Sequence, residues 1–283
     1  MGDEQLIRNI SDTARWVAVY RAREAERGDG LFRDPYARRL AGERGEQIAQ
    51  SDAFTERYSW AYPIRTWLID RFITQEIARG ADLVVNLAAG LDARPYRMDL
   101  PRRLRWIEVD LPEILDYKAD ALKDESPHCA LERVKLDLSN AAARRELFAR
   151  VAQDARDALV VSEGLLIYLS PDENAALARD LAAVPAFHSW VFDMSSPKIV
   201  RMMLKNIGER LEAANAPFKF INPDGPEFFI EHGWRPERCE SIFRHAGKQK
   251  RLPFVMSLFA KLPEPKKPWK GPWSGVCLVK KSA

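Results

Sequence analysis

The sequence predicts an α/β fold built on an open, mostly parallel sheet with helices on both faces, and three observations predict it. From Asp82 onward, short β-branched runs alternate with helical stripes, the pattern of strands joined by crossover helices. The first run, Leu83-Val84-Val85-Asn86-Leu87, enters a small-residue corner, Ala88-Ala89-Gly90. A buried parallel strand reads this way where it delivers the chain to a turn beneath a ligand. Later runs end in acids: Asp110, Asp137, Glu163 and Asp193 stand at predicted carboxyl ends. Those ends form the edge of an open sheet at which ligands bind.

The elements follow in order. Ser11 or Asp12 caps a helix to about Glu26, with Ala14, Val17, Ala18 and Ala22 as its stripe, and Gly28 to Gly30 stop it. Asp34 caps a second helix with Pro35 at its first position and Gly42 as its stop. Residues 43–62 read as short helices with interspersed aromatics, and a strong helix covers 64–79 and ends at Gly80. Seven strands are predicted at 83–87, 104–109, 133–136, 159–163, 189–194, 239–244 and 275–280. Between them, Pro112 opens a helix to about Lys123, and Asn140 caps one to about Gln153. Ser170-Pro171-Asp172-Glu173 is a capping box whose helix runs to about Val184. Helices are also expected at 197–214 and 251–261, with surface loops at 124–130 and 263–273, the latter carrying Lys266, Lys267 and Lys270.

Composition narrows the function. The 283 residues suit one large α/β domain or two small ones, and 46% apolar residues can fill a core. Lys plus Arg number 44 against 41 acids, a net of +3, which makes no electrostatic case for nucleic acid. Three distant cysteines suggest a reducing compartment and show no metal-ligand spacing. The four histidines form no H-x-x-x-H pair. The charged opening residues predict no signal peptide, and no apolar run approaches the ~18 residues of a membrane span. A soluble cytoplasmic protein is expected; nothing in the sequence sets an oligomeric state. The corner lacks G-x-G-x-x-G, which argues against a pyrophosphate cofactor and so against a nicotinamide or flavin oxidoreductase. Asp110, twenty positions after Gly90, suits the ribose hydroxyls of a nucleotide-like cofactor.

These residues together resemble the leucine carboxyl methyltransferase family, in its bacterial branch of S-adenosylmethionine-dependent O-methyltransferases. The likeness rests on Thr13-Ala14, Arg21-Ala22, Asp34-Pro35-Tyr36-Ala37 and Arg65. It continues through the segment from Asn86 to Arg97, Glu108-Val109-Asp110-Leu111-Pro112, Asp137-Leu138 and the segment from Ser162 to Leu169. It covers most of residues 11–195 and more loosely the rest. One departure is Ala88, where the family usually has Gly; a methyl there narrows the corner.

The resemblance implies a Rossmann-like class I methyltransferase with S-adenosylmethionine as cofactor and a small-molecule acceptor. The change of pattern along the chain divides it into four expected regions: a helical cap at 1–80, the cofactor-binding core at 81–195, an aromatic lid insertion at 196–235 and the end of the core at 236–283. By the same resemblance Arg65 takes the cofactor's carboxylate, a task suited to a guanidinium fork. Gly90 admits the methionine portion, Asp110 accepts both ribose hydroxyls, and Asp137 with the Leu138 N–H reads the adenine edge. Glu163 lies near the ammonium, Arg15 matches a basic position near the carboxylate, and Tyr168 orients acceptor or cofactor. Each has a plainer alternative: a solvated Arg65, Asp110 as cap of the helix at Pro112, Tyr168 as a core aromatic.

Two sequence features bear on the acceptor. A carboxylate, with a reference pKa of about 4, is ionised at neutral pH and needs no general base, whereas a phenol or alcohol does. No histidine stands at a strand end or corner, although His128 and His232 fall in loops. This favours a carboxylate on a small metabolite such as a polyketide; a protein C-terminal carboxylate is the alternative acceptor. Two aromatic groups, Trp16, Tyr20, Phe54, Tyr58, Trp60 and Tyr62, and Phe218, Phe220, Phe228, Phe229 and Trp234, are expected to wall an apolar pocket.

Overall fold

The computed structural model describes residues 10–51 and 53–282. The opening stretch read for a leader, and the capping side chain of Ser11, lie outside the described residues. Four helices come first: α1 (Ile10–Ala25), α2 (Ala37–Gln50), α3 (Ala53–Arg57) and α4 (Ala61–Arg79). The alternating part follows as β1 (Leu83–Leu87), α5 (Arg94–Arg97), β2 (Arg105–Asp110), α6 (Pro112–Ala121), β3 (Ala130–Lys135), α7 (Ala141–Ala152), β4 (Ala158–Ser162), α8 (Pro171–Ala182) and β5 (Phe187–Ser195). The chain ends with α9 (Pro197–Ala213), β6 (Trp234–Ser241), α10 (Ile242–Lys248), α11 (Phe254–Phe259) and β7 (Ser274–Lys281).

The seven strands form one sheet in the order β3-β2-β1-β4-β5-β7-β6. The pairs among β1 to β5 are parallel, and β7 runs antiparallel between β5 and β6. Alternation along the strands sorts the two faces. Leu83, Val85 and Leu87 pack with Phe148 and Val151 of α7 and Leu177 and Leu181 of α8. Val84 faces the other way, with Trp106 and Val161, onto Leu68 and Phe72 of α4 and Ile242 of α10. A third cluster joins Trp16, Val19 and Leu40 of α1 and α2 to Ile114 of α6 and Ile207 of α9.

Local chemistry accounts for the sharpest element boundaries. Gly80 ends α4 at φ 120°, Asn140 accepts the Ala143 N–H at 3.1 Å, and the capping box at Ser170 is closed from both sides. Elsewhere the structure departs from expectation. Asp12 lies inside α1 and pairs with Arg44 at 2.7 Å instead of capping. Gly42 does not stop α2: it takes φ 62° and ψ −179° as a kink, and the helix resumes to Gln50. Strand β3 begins at Ala130, inside the expected loop, because this edge strand is only half covered and carries a weak apolar signal. Strand β6 is earlier than expected. It absorbs Pro236 in a register shift on the sheet edge, and the Ser241 hydroxyl caps α10 where a strand was expected.

Candidate active site

A cleft of about 740 Å³ opens at the carboxyl ends of β1, β2, β4 and β5. Strand β1 has β2 on one side and β4 on the other, so the chain order reverses there. That switch point is where open α/β sheets bind ligands. Arg65, Gly90, Asp110, Asp137, Leu138, Glu163 and Tyr168 all line this cleft. Arg15 is not brought to it; its guanidinium stacks 3.7 Å over the Tyr117 ring, which turns the charge away.

The corner after β1 is the tightest part. The Ala89 N–H donates to the Val109 carbonyl at 3.1 Å, tying the turn to β2. Gly90 has φ 46°, and a Cβ there would stand 3.3 Å from the Ala14 methyl. Ala88 is also left-handed, at φ 52°. For an L-residue that conformation costs roughly 1–2 kcal/mol. The departure from the family's glycine therefore acts through backbone strain as well as through the methyl's bulk.

Asp110 closes the corner from β2. One oxygen accepts the Gly90 N–H at 2.6 Å and the other the Leu111 N–H at 2.7 Å. Each oxygen keeps lone-pair capacity for a further donor. Burial pushes this carboxyl above its ordinary pKa, against the pull of the two N–H groups and Lys118. Beyond β3, Asp137 accepts the Ser139 N–H at 2.8 Å, and the Leu138 carbonyl is held by Arg144 at 2.7 Å.

The floor is a charge network absent from the sequence reading. Arg65 reaches from α4 to Glu163 through Nε and to Asp193 through Nη1, both at 3.1 Å. Arg94, with 1% of its side chain exposed, joins Glu163 at 2.8 Å, Asp92 at 2.7 Å and Asp70 at 2.6 Å. Thr66 donates to Glu163 at 3.1 Å, and the Gly164 N–H to Asp193 at 2.6 Å. Asn86 donates to Asp92 at 2.8 Å. Burial alone would raise Asp92 and Glu163, but Arg94 and its cationic neighbours hold both below the usual carboxylate range. Burial works against the Arg65 charge too, and Asp193 and Glu163 outweigh it, raising its pKa. Glu163 was expected near an ammonium; its oxygens already receive Arg65, Thr66 and Arg94. Its immediate structural task is to fix Arg65. Arg94 had no role in the sequence reading, although Asp92-x-Arg94 places an acid and a base in one tight turn.

Tyr168 follows Glu163 on a short 3-10 turn and packs edge-on against Phe218, with ring centroids 5.4 Å apart. Burial raises its pKa despite a hydrogen bond with Thr13, so the phenol stays protonated at neutral pH. The aromatic groups divide. Trp16, Phe54, Tyr58, Trp60, Tyr62 and Phe218 line the cleft, together with Ile199, Met202 and Met203 of α9. Tyr20 stacks behind them on Tyr62 at 5.0 Å. Phe220, Phe228, Phe229 and Trp234 do not line it; they pack in the core with Trp190 and Phe192. Of the two groups expected to wall the pocket, the first without Tyr20 does so, joined by Phe218 from the second.

Among the described residues no histidine or cysteine lines the cleft. His128 bonds the Met98 carbonyl at 2.7 Å, and His232 packs edge-on against Phe228. Among the described residues no cluster of His, Cys, Asp and Glu could hold a metal, and no helix is long and apolar enough to cross a membrane.

The profile of the leucine carboxyl methyltransferase family matches residues 14–182. The chain belongs to that family. Two Streptomyces relatives, both assigned as S-adenosyl-L-methionine-dependent methyltransferases, are similar over most of their length. The S. avermitilis protein is 32% identical, covering 80% of this chain and 83% of its own. The S. coelicolor protein is 36% identical, covering 83% and 86%. In shape, the crystal structure of a DUF574 family protein from S. avermitilis matches with a TM-score of 0.61 at 13% identity, covering 95% of this chain and 97% of that one. That likeness establishes the shared fold. The seven-stranded, mostly parallel sheet is a Rossmann-like class I methyltransferase core.

Proposed function

We propose that this protein transfers a methyl group to the carboxylate, or failing that a hydroxyl, of a small and largely apolar metabolite, with polyketide acids as the type. The chain is an S-adenosylmethionine-dependent methyltransferase. The cleft's chemistry fits that cofactor. Asp110 offers open acceptor capacity for ribose hydroxyls, the left-handed corner lets backbone come close, and Arg65 lines the cleft beside two acids.

When bound, S-adenosylmethionine supplies a methyl group on a sulfonium. The chain's own residues then have these proposed tasks. Asp110 holds the ribose, and Asp137 and the Leu138 N–H meet the adenine edge. Arg65, held by Glu163 and Asp193, turns its remaining N–H groups to the cofactor's carboxylate, while the acids beside it favour the ammonium. Tyr168, neutral, donates a hydrogen bond that orients an acceptor oxygen. Methyl transfer is an in-line displacement, so this arrangement acts by positioning.

The observation that carries the carboxylate reading is a cleft with an apolar wall and, among the described residues, no histidine. Tyr168 stays protonated, so an acceptor that arrives already ionised suits the site best. The test is incubation with methyl-labelled cofactor and a panel of aromatic and aliphatic acids, phenols and alcohols. An alkali-labile methyl ester is expected. Label found only in alkali-stable ethers overturns the carboxylate reading. Labelling of a peptide but not of its amidated form moves the acceptor to protein C-termini.

A further inference from the structure

Helix α11 carries an apolar surface that the proposed chemistry leaves unused. Phe254, Val255 and Phe259 are 78%, 64% and 60% exposed, and Leu258 and Leu262 are 49% and 58%. Single exposed apolar residues are ordinary; five within one short stretch mark an interaction site. Met256, on the same helix, lines the cleft with Phe243 and Trp60, so α11 carries the exposed patch and a piece of the cleft wall.

The patch is bordered by an excess of positive charge. Between 248 and 270 stand seven cations and a single acid, Glu264. Arg251 is taken up by Glu24 and Asp29, Lys267 by Glu227 and Lys270 by Asp224. Lys248, Lys250, Lys261 and Lys266 are exposed. The end of α10 abuts α11, where a Cβ on Gly247 would fall 2.5 Å from that of Ala260, which brings Lys248 and Lys250 beside the apolar turn.

We infer that this face docks on an anionic lipid surface, with α11 in the acyl boundary and the lysines on the headgroups. An apolar helix bordered by lysines is the make-up of an interfacial anchor. Acidic headgroups complement the lysine border. A second copy does not: a two-fold contact would set the same lysines against one another. The cleft then opens onto the membrane, and an apolar acceptor enters it without crossing water. Docking itself stands whether or not the acceptor is a carboxylic acid.

The test is sedimentation of the full chain with phosphatidylcholine vesicles, with and without phosphatidylglycerol. Binding is expected only with the anionic lipid and is released by salt. Phe254→Ser with Phe259→Ser weakens it on the order of tenfold or more. Each of Lys248→Ser, Lys250→Ser and Lys261→Ser weakens it about fivefold. Thermal melts of these variants stay at the parent value, since the replaced side chains are exposed. No binding, equal binding to neutral vesicles, or full binding by the double phenylalanine variant overturns the inference. So does a concentration-dependent dimer in light scattering that Phe254→Ser abolishes, which assigns the face to self-association.

Discussion

The two aromatic-rich stretches, 54–62 and 218–234, carry similar side chains and come to different ends. Phe54, Tyr58, Trp60 and Tyr62 are all half-buried and line the cleft. Phe229 and Trp234 are fully buried, with Trp190 and Phe192 from β5 against them. The difference is the neighbour. The first stretch runs from the short α3 through a turn into the start of α4, over the carboxyl edge of the sheet, where there is a gap to line. The second lies against a sheet face, where interiors close to crystal-like density. An aromatic residue is apolar surface in search of cover, and the fold decides whether a ligand or the core provides it.

That comparison breaks most visibly in stability. Phe229→Ala leaves a cavity in a dry core and is expected to cost about 3–5 kcal/mol in urea unfolding. Phe54→Ala should cost well under half as much and show instead in the KM for the acceptor. Equal losses at the two sites would erase the distinction. Arg94→Met tests whether the polar floor is as demanding as the aromatic core. Removing one partner of a buried charge cluster costs about 3–5 kcal/mol, because Asp92, Asp70 and Glu163 lose their counter-charge.

Smaller effects sharpen the picture at the cofactor. Asp110→Ala is expected to weaken cofactor binding by about 1–3 kcal/mol in calorimetry, with the melting curve little changed. Affinity should also fall with acid sooner than for an ordinary aspartate, since its raised pKa brings protonation in at higher pH. Stability follows the opposite group of acids. Asp92 and Glu163 titrate low when folded, so their contribution is present above the ordinary carboxylate pKa of about 4 and is lost as pH falls below it. Asp110, raised when folded, opposes stability at neutral pH and relaxes as it protonates. The smallest effect is Ala88→Gly. Relief of the left-handed strain offsets the added chain entropy, and a gain of up to about 1 kcal/mol is expected in thermal unfolding.

How much of this was legible depended on range. The strand run 83–87, the corner, the Ser170 box, the Asn140 cap and the Gly80 stop are short-range signals, and each lies where its own neighbours predict. The edge strands were blurred, because β3 and β6 are covered on one side only and their apolar pattern is diluted. Asp110, Asp137 and Glu163 were legible as acids at strand ends, since their positions follow from the alternation. What they bond was not.

By itself, then, the chain determined its run of elements, its small-residue corner and the row of acids along one sheet edge, because period and capping act within a few residues. Only the tertiary structure decided that Arg65 meets Glu163 across 98 positions, that Arg94 knits three acids together, that Arg15 turns to Tyr117, and which aromatics face the cleft. Charge pairing and burial depend on which side chains the closed sheet brings within a few ångströms, and no local pattern along the chain carries that distance.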